Sequence, residues 1–276
     1  AYYPLGKSTS EMLRVLRFAA GESVVFNTKA RCPLMLFIEV QKMSYPIADA
    51  MKHMSNESPS DTPSEAPAPR TTPLGRSELE TSSRKGEAFA DKVSRLKGKS
   101  DLGSTRGWSL ASMIVKSNDD LRQEVFVMQI ITFFKKIFPP DVTWLNCYDI
   151  QATGPDTGLI ETITSAQDID NLKKAPGYTS LRQLFLTRYG PPEGDKFKTA
   201  QDNFVKSLAA YSVVMWVLML RDRHNGNLML DAEGHYFHID FGFVLGHSTG
   251  KQIGGLVECS PFKMTAEYVE VLDGEG

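Results

Sequence analysis

Residues 221–242 read RDRHNGNLMLDAEGHYFHIDFG. Leu228-Met229-Leu230 and the run from His235 to Ile239 are short, apolar and rich in strand formers. Between them, Asp231-Ala232-Glu233-Gly234 has turn composition, with a glycine available for a positive φ. The pattern predicts a hairpin whose open ends bring Asn227 and Asp240 side by side. An amide oxygen and a carboxylate are hard donors of the kind Mg²⁺ accepts while it keeps waters and phosphate oxygens. Asp222, Arg223 and His224 add an acid, a cation and an imidazole just upstream. Such a set suits phosphoryl transfer, where a protein positions a hydroxyl, neutralises charge through metal ions and supplies a base. An isolated Asp-Phe-Gly or His-x-Asp is usually a solvated surface hairpin. Two ligand-bearing segments bracketing one hairpin, behind an acid–imidazole pair, are hard to obtain by accident.

The bulk composition sets limits on what surrounds this segment. A chain of 276 residues can bury a substantial core in one large or two smaller units. A formal net charge of −2 and a pI near 6.3 exclude a nucleic-acid binder that works by bulk electrostatics. Cys32, Cys147 and Cys259 are widely spaced with no metal-ligand pattern, which reads as reduced thiols. The longest apolar run, Leu208 to Leu220, is too short to span a bilayer, so membrane contact is expected to be peripheral. A start at Ala-Tyr-Tyr without Met or leader reads as a piece of a longer protein.

Outward from the hairpin, the preceding segments read in order. Leu13 to Phe18, Ser23 to Asn27 and Leu34 to Val40 are expected strands. The Ser- and Pro-rich run from Ser55 to Pro69 has almost nothing to bury and is expected to be disordered. Phe89, Val93 and Leu96 at helical spacing predict a short helix after it. Trp108 to Lys116 resumes strand character. Asn118 is placed to cap a helix that Pro139-Pro140 stops, with Asp119 and Asp120 in its first turn. Leu145 to Thr153 and Leu159 to Ile163 flank a Gly-Pro-Asp-Thr-Gly turn and predict another hairpin. Asp168 to Lys174, Ser180 to Tyr189 and Lys196 to Leu220 read as helices. The last is nearly continuous in its apolar end, so it is expected to be buried under the catalytic segment with Met215, Trp216 and Met219 in the core. Arg223 is expected to be a structural ion-pair partner, and His235 and His238 satisfied packing or hydrogen-bonding histidines.

Asp222 to Asn227, followed by His238-Ile239-Asp240-Phe241-Gly242, resembles the catalytic loop and metal-binding motif of the phosphatidylinositol 3-/4-kinase superfamily. Ordinary protein kinases have His before Arg before Asp, the reverse of the order here. Asp-Ala-Glu-Gly-His and Phe-Gly-Phe-Val-Leu are most similar to the type III phosphatidylinositol 4-kinases, the beta form in particular. The resemblance is strong from Trp108 to Val271, weaker from Leu13 to Val40 and absent between.

That resemblance implies an α+β, two-lobed, protein-kinase-like fold, with an antiparallel sheet in the small lobe and a mainly helical large lobe that is incomplete at its C-terminal end. Residues 1–43 and 108–160 would form the small lobe, 44–107 a disordered insert and 161–276 the large lobe. The expected cofactors are ATP and Mg²⁺, with Asn227 and Asp240 as metal ligands. Lys116 would contact phosphate with Glu124 as its acidic neighbour. Thr28 and Lys29 would lie in the phosphate-covering loop, although by themselves they fit an exposed hairpin turn equally well. Ile160, Glu161 and Ile163 would line the adenine site with Tyr148 deeper in the pocket; plain core accounts for the two isoleucines as well. Asp222 would orient or deprotonate the attacking hydroxyl, and His224 is the other candidate for that base.

The implied substrate is phosphatidylinositol in a membrane surface, phosphorylated at the 4-hydroxyl. Substrate choice would lie in Phe243 to Glu267. Lys251, Lys263 and His247 are a sparse cationic set there, better matched to the singly charged headgroup than to a bisphosphate. The implied location is cytoplasmic, peripheral on intracellular membranes of Golgi type. Regulatory proteins binding the 44–107 insert are a further expectation, and nucleic acid is not. The rival readings are a phosphatidylinositol 3-kinase, a Ser/Thr protein kinase of the related group, and an inactive kinase-like scaffold.

Overall fold

Leu34–Lys42, here β3, carries side chains alternately to two faces of a sheet, and each face meets its own partners. Ile38 and Val40 join Leu5 and Met113 in one apolar cluster, while Phe37 joins Trp108 and Leu110 in another. The computed structural model describes residues 2–5, 12–26, 32–43, 87–246 and 260–273. The chain divides into two compact units, Ala1–Leu121 with Asp149–Thr162, and Arg122–Tyr148 with Ile163–Gly276. The boundary expected between 160 and 161 therefore falls two residues later. The segment 122–148, assigned from sequence to the small lobe, clusters with the second unit.

The first unit is a six-stranded antiparallel sheet in the order β1-β3-β4-β6-β5, with β2 pairing β3. The other strands are β1 (Leu13–Phe18), β2 (Val24–Val25), β4 (Trp108–Ser117), β5 (Ile150–Gly154) and β6 (Thr157–Glu161). β2 is shorter than the Ser23–Asn27 run. The β5–β6 hairpin starts at Ile150, not at Leu145. Gly158 on β6 is needed for space: a Cβ there would come within 2.4 Å of Leu121 Cδ1 and 2.7 Å of Gln151 O.

Residues 87–107, read from sequence as the end of a disordered insert, are folded. Helix α1 (Phe89–Lys99) lays Phe89, Val93 and Leu96 against the Phe37–Trp108–Leu110 face. A buried ionic network ties it down. Lys92 Nζ lies 2.9 Å from Glu22 Oε2 and 4.6 Å from the Phe37 ring centroid. Arg95 binds Glu22 through Nη1 at 2.8 Å and Glu87 through Nε at 2.7 Å. The helix predicted from Phe89, Val93 and Leu96 is present, and the folded chain around it reaches further than the expected insert boundary allowed. Residues 44–86 lie outside the described set.

In the second unit, α2 (Arg122–Ile137) starts four residues after Asn118. Asn118 adopts φ +56° instead of a capping conformation, because the chain first turns there. The following Asp119 N–H donates to Asp156 O at 3.0 Å, a bond within the first unit. The unit continues through β7 (Ala166–Asp168), α3 (Ile169–Lys174), α4 (Leu181–Tyr189), α5 (Asp195–Leu218), β8 (Leu228–Asp231), β9 (Tyr236–His238) and α6 (Ala266–Asp273). β7, β8 and β9 form a three-stranded antiparallel sheet. Asp168 and Ser180 cap α3 and α4 by accepting from the Asn171 and Gln183 N–H groups at 2.8 and 3.1 Å. Among the described residues no helix is long and apolar enough to cross a membrane.

The β8–β9 hairpin lies along α5, fixed at points three or four residues apart. Gly234 packs on Ala200, where a Cβ would come within 2.6 Å of the Ala200 carbonyl. Asn203 Nδ2 donates to Glu233 O at 2.8 Å, and Ser207 Oγ accepts from the Tyr236 N–H at 2.8 Å. Tyr211 stacks on His238 with centroids 4.8 Å apart. Because Gly234 also holds φ +94°, Gly234→Ala is expected to cost about 2 kcal/mol through strain and displacement from α5. A lowered thermal midpoint would register it; an unchanged midpoint would show that the tip is not held.

The core of this unit gathers Phe185, Phe197, Phe204, Leu208, Tyr236 and Tyr268, with edge-to-face rings around Phe204. Met215 is buried, as expected. Trp216 and Met219 are not: they are 66% and 45% exposed. The helix buries the side that faces the hairpin, α4 and α6, and leaves Val205, Val213 and Val217 outward as well.

Candidate functional site

The two motifs are presented by one closed segment. α5 ends with Met219 in the left-handed region at φ +47°, which turns the chain out of the helix. Twenty-odd residues later it returns to the same place. The Arg221 N–H donates to Phe243 O at 2.9 Å and the Leu245 N–H to Leu218 O at 2.8 Å. Within this segment Leu228 pairs His238 and Leu230 pairs Tyr236. The Ile239 N–H donates to Asn227 O at 3.1 Å, so the register puts Asn227 opposite the residue before Asp240. The predicted closure of the two ends is the observed one.

Arg223 holds that closure. Its side chain is buried, and it donates to the carbonyls of Arg221 at 2.8 Å, Ile239 at 2.7 Å and Asp240 at 2.5 Å. It thus acts on backbone oxygens, not as the carboxylate partner expected from sequence. A planar fork with several donors suits this better than a point charge would. Burial lowers its pKa, while the charges of Asp240 and Asp222 oppose that shift.

The predicted ligands have suitable chemistry. Asn227 Nδ2 donates to Asp222 O at 2.9 Å, which fixes the amide and leaves Oδ1 as its acceptor atom. The Asp240 side chain is exposed at φ +59°, with Oδ1 accepting from the Gly242 N–H at 3.4 Å. An amide oxygen and a carboxylate on adjoining strand ends fit a hard divalent cation. Asp222 also adopts a left-handed φ of +63°, and its Oδ2 lies 3.9 Å from His224 Nε2. His224 Nδ1 accepts from the Gly226 N–H at 3.1 Å, so the proton of the neutral ring sits on Nε2.

Tyr148 is buried and stacks on Phe241 with centroids 6.5 Å apart. Burial pushes its pKa well up, and the negative charges of Glu124 and Asp240 add to the effect, which puts these groups in one neighbourhood. Glu124 is buried in the first turn of α2. Lys116, in the first unit, has Nζ 3.4 Å from Asp119 Oδ2. Ile160 is buried on β6 opposite Ile114, and Glu161 Oε2 accepts from the Asp149 N–H at 2.8 Å. Ile163 belongs to the second unit, whereas Ile160 and Glu161 belong to the first. Thr28, Lys29, His247, Lys251 and Cys259 lie outside the described residues.

His235 is satisfied: Nδ1 is 2.8 Å from Asp231 Oδ2, and the ring stacks on Trp144 at 4.0 Å. His238 is a packing histidine, stacked on Tyr211 and edge-on to Tyr236, and among the described residues its buried Nδ1 has no hydrogen-bond partner. Burial drives its pKa well down, with Arg223 and Lys263 adding to the shift, so it is a neutral ring. Lys263 donates to Arg223 O at 3.2 Å. One further residue escaped the sequence reading. Gln123 of α2 donates to Phe241 O at 3.1 Å and to Gly242 O at 2.8 Å. A glutamine in a helical first turn carries no sequence signal for this.

The profile of the family described as "Phosphatidylinositol 3- and 4-kinase" matches residues 111–276. The chain belongs to that family. Among curated relatives of this lipid-kinase family member, "Phosphatidylinositol 4-kinase" of Dictyostelium discoideum is 44% identical over 198 residues, 71% of this chain and 16% of that protein. "Phosphatidylinositol 4-kinase PIK1" of Saccharomyces cerevisiae is 43% identical over 205 residues, 68% of this chain and 19% of that protein. "Phosphatidylinositol 4-kinase beta 1" of Arabidopsis thaliana is 45% identical over 193 residues, 69% and 17% respectively. The chain thus spans less than a quarter of the length of each of these family members.

Proposed function

We propose that this chain carries the catalytic segment of a phosphatidylinositol 4-kinase, transferring the γ-phosphoryl group of ATP to the 4-hydroxyl of phosphatidylinositol. The observation that carries the reading is the closed segment 218–245, in which Arg223 fixes the Asp240 backbone beside the Asp222–His224 pair. The names of the curated relatives supply the substrate and the hydroxyl.

In this reading Asn227 Oδ1 and the Asp240 carboxylate hold Mg²⁺. When bound, the ion neutralises the charge of the nucleotide phosphates. Lys116 is assigned to phosphate on the ground of the family pattern. The lipid hydroxyl oxygen bonds to the γ-phosphorus, the bond from phosphorus to the β–γ bridging oxygen breaks, and ADP leaves. The hydroxyl proton passes to the Asp222 carboxylate. His224 presents Nε2–H on that side, so it is suited to donate a hydrogen bond to the transferring phosphoryl oxygens and less suited to be the base.

Location at an intracellular membrane surface, and regulatory proteins that bind residues 44–107, belong to the same proposal and rest on the family resemblance. Phosphatidylinositol is the proposed headgroup class because the segment after Asp240 has few cations. Of those, Lys263 already donates to Arg223 O. An assay of the full-length protein across phosphoinositides, with mass-spectrometric identification of the product, tests this. Phosphatidylinositol 4-phosphate as the main product is the expected result. Preference for a bisphosphate, or phosphate found on protein and not on lipid, would overturn it.

A further inference from the structure

Asp240 is the residue that the proposed chemistry can least afford to misplace, yet its own side chain does little to place it. It is exposed, it sits in a left-handed conformation, and among the described residues its side chain makes one hydrogen bond, the long one from the Gly242 N–H. A residue other than glycine stays in that region only when its surroundings hold the backbone there.

The surroundings here are two side chains from different elements. Arg223 donates to the carbonyls of Ile239 and Asp240, and Gln123 to those of Phe241 and Gly242. Four consecutive carbonyls, from Ile239 to Gly242, are therefore held. Phe241 is anchored in addition by its fully buried ring. Gly242 has no side chain to anchor it, and a glycine peptide rotates readily. Its carbonyl bond to Gln123, at 2.8 Å, is the shorter of the two that Gln123 makes.

We infer that Gln123, in the first turn of α2, is a positioning residue for the metal ligand Asp240, acting through the Phe241 and Gly242 carbonyls. The inference rests on the reading of Asp240 as a metal ligand given above. Gln123 directs its amide N–H groups to the two backbone carbonyls and is assigned no contact with substrate or ion. Its effect is to keep the Phe241–Gly242 and Gly242–Phe243 peptides from rotating; the first of these carries the Gly242 N–H that donates to the Asp240 carboxylate, so the carboxylate keeps its place. Groups that orient a metal ligand in this way typically change metal affinity or activity about ten- to a hundredfold when removed.

The test compares Gln123→Met, which keeps length and helix propensity but has no donor, and Gln123→Ala with the wild type, in the full-length protein. Free Mn²⁺ is followed by electron paramagnetic resonance in the presence of a non-hydrolysable ATP analogue, beside the thermal midpoint and lipid-kinase kinetics. Both variants are expected to bind Mn²⁺ about tenfold more weakly. Their kcat should fall, with KM for the lipid unchanged and the midpoint within a few degrees of wild type. Mn²⁺ affinity within twofold of wild type in both variants would overturn the inference and leave the proposed function standing. A wild-type protein that binds no Mn²⁺ with the nucleotide would instead remove the reading of Asp240 on which it rests.

Discussion

Asp240→Asn is expected to lower phosphoryl transfer by at least about a thousandfold, equivalent to roughly 4 kcal/mol of transition-state stabilisation, while leaving the fold intact. Asparagine is the informative replacement because φ at this position is +59°. Asn tolerates the left-handed region nearly as well as Asp, whereas Ala there adds a strain of about 1 kcal/mol to the chemical loss. The carboxylate is solvent-exposed and its one hydrogen bond among the described residues is 3.4 Å long, so little stability depends on its charge. What the substitution removes, on the proposed function, is the anionic partner of Asn227 in holding the metal. Product lipid formation and the thermal midpoint of the two proteins decide the matter. Near-normal turnover by Asp240→Asn would mean that this residue does not hold the metal.

Glu39→Ala should be the most damaging substitution away from the site, costing about 3 kcal/mol of first-unit stability. Glu39 lies in the middle of β3, 3% exposed, a place where a carboxylate persists only if fully hydrogen-bonded. It accepts from Arg17 Nη2 at 2.7 Å, Trp108 Nε1 at 2.8 Å and Ser100 Oγ at 2.5 Å. Loss of the carboxylate leaves the indole N–H of the buried Trp108 without its acceptor. Arg17 is 44% exposed in its side chain and can turn to water, which keeps the estimate at the lower end of the range for broken buried pairs.

The same group sets a pH dependence. Burial raises the Glu39 pKa, but the bonds from Ser100, Trp108 and Arg17 outweigh it and the net shift is downward. Its stabilisation is therefore complete above the unfolded carboxylate pKa and is lost as pH falls below it towards the folded value. Urea titrations at pH 7 and pH 4, read by amide exchange in β3 and β4, should show a gap between wild type and Glu39→Ala that narrows at the lower pH. A loss under about 1 kcal/mol at pH 7 would contradict this account.

What could be read from the sequence was governed by how local the determining physics is. The β8–β9 hairpin was legible because its turn residues, strand formers and motif spacing all sit within 22 residues of each other. The same holds for Leu13–Phe18 and for the helix spaced by Phe89, Val93 and Leu96. The extent of folded chain around that helix was not legible, since it depends on Glu22 and Phe37, which lie far away in sequence. Trp216 was misplaced because an apolar helix end implies burial only if every face has a neighbour, and neighbours are a tertiary fact. Arg223 was assigned a carboxylate partner because sequence displays side chains and conceals carbonyls. For the same reason Gln123 left no trace, whereas Asp222, Asn227 and Asp240 announced themselves by residue type. Thr28 and Lys29 remain an expectation from the family pattern.

Ala200, Asn203, Ser207 and Tyr211 make α5 a ruler against which the hairpin is measured. Helical pitch is among the least adjustable lengths in a protein, about 1.5 Å per residue and 100° of rotation. Side-chain substitutions along the graduated edge change how firmly the hairpin is held, but not where it is held. One residue added between Ala200 and Tyr211 would rotate half of the marks away from the other half, so the two motifs would no longer share a common scale. Evolution of this segment is thereby freer in composition than in length.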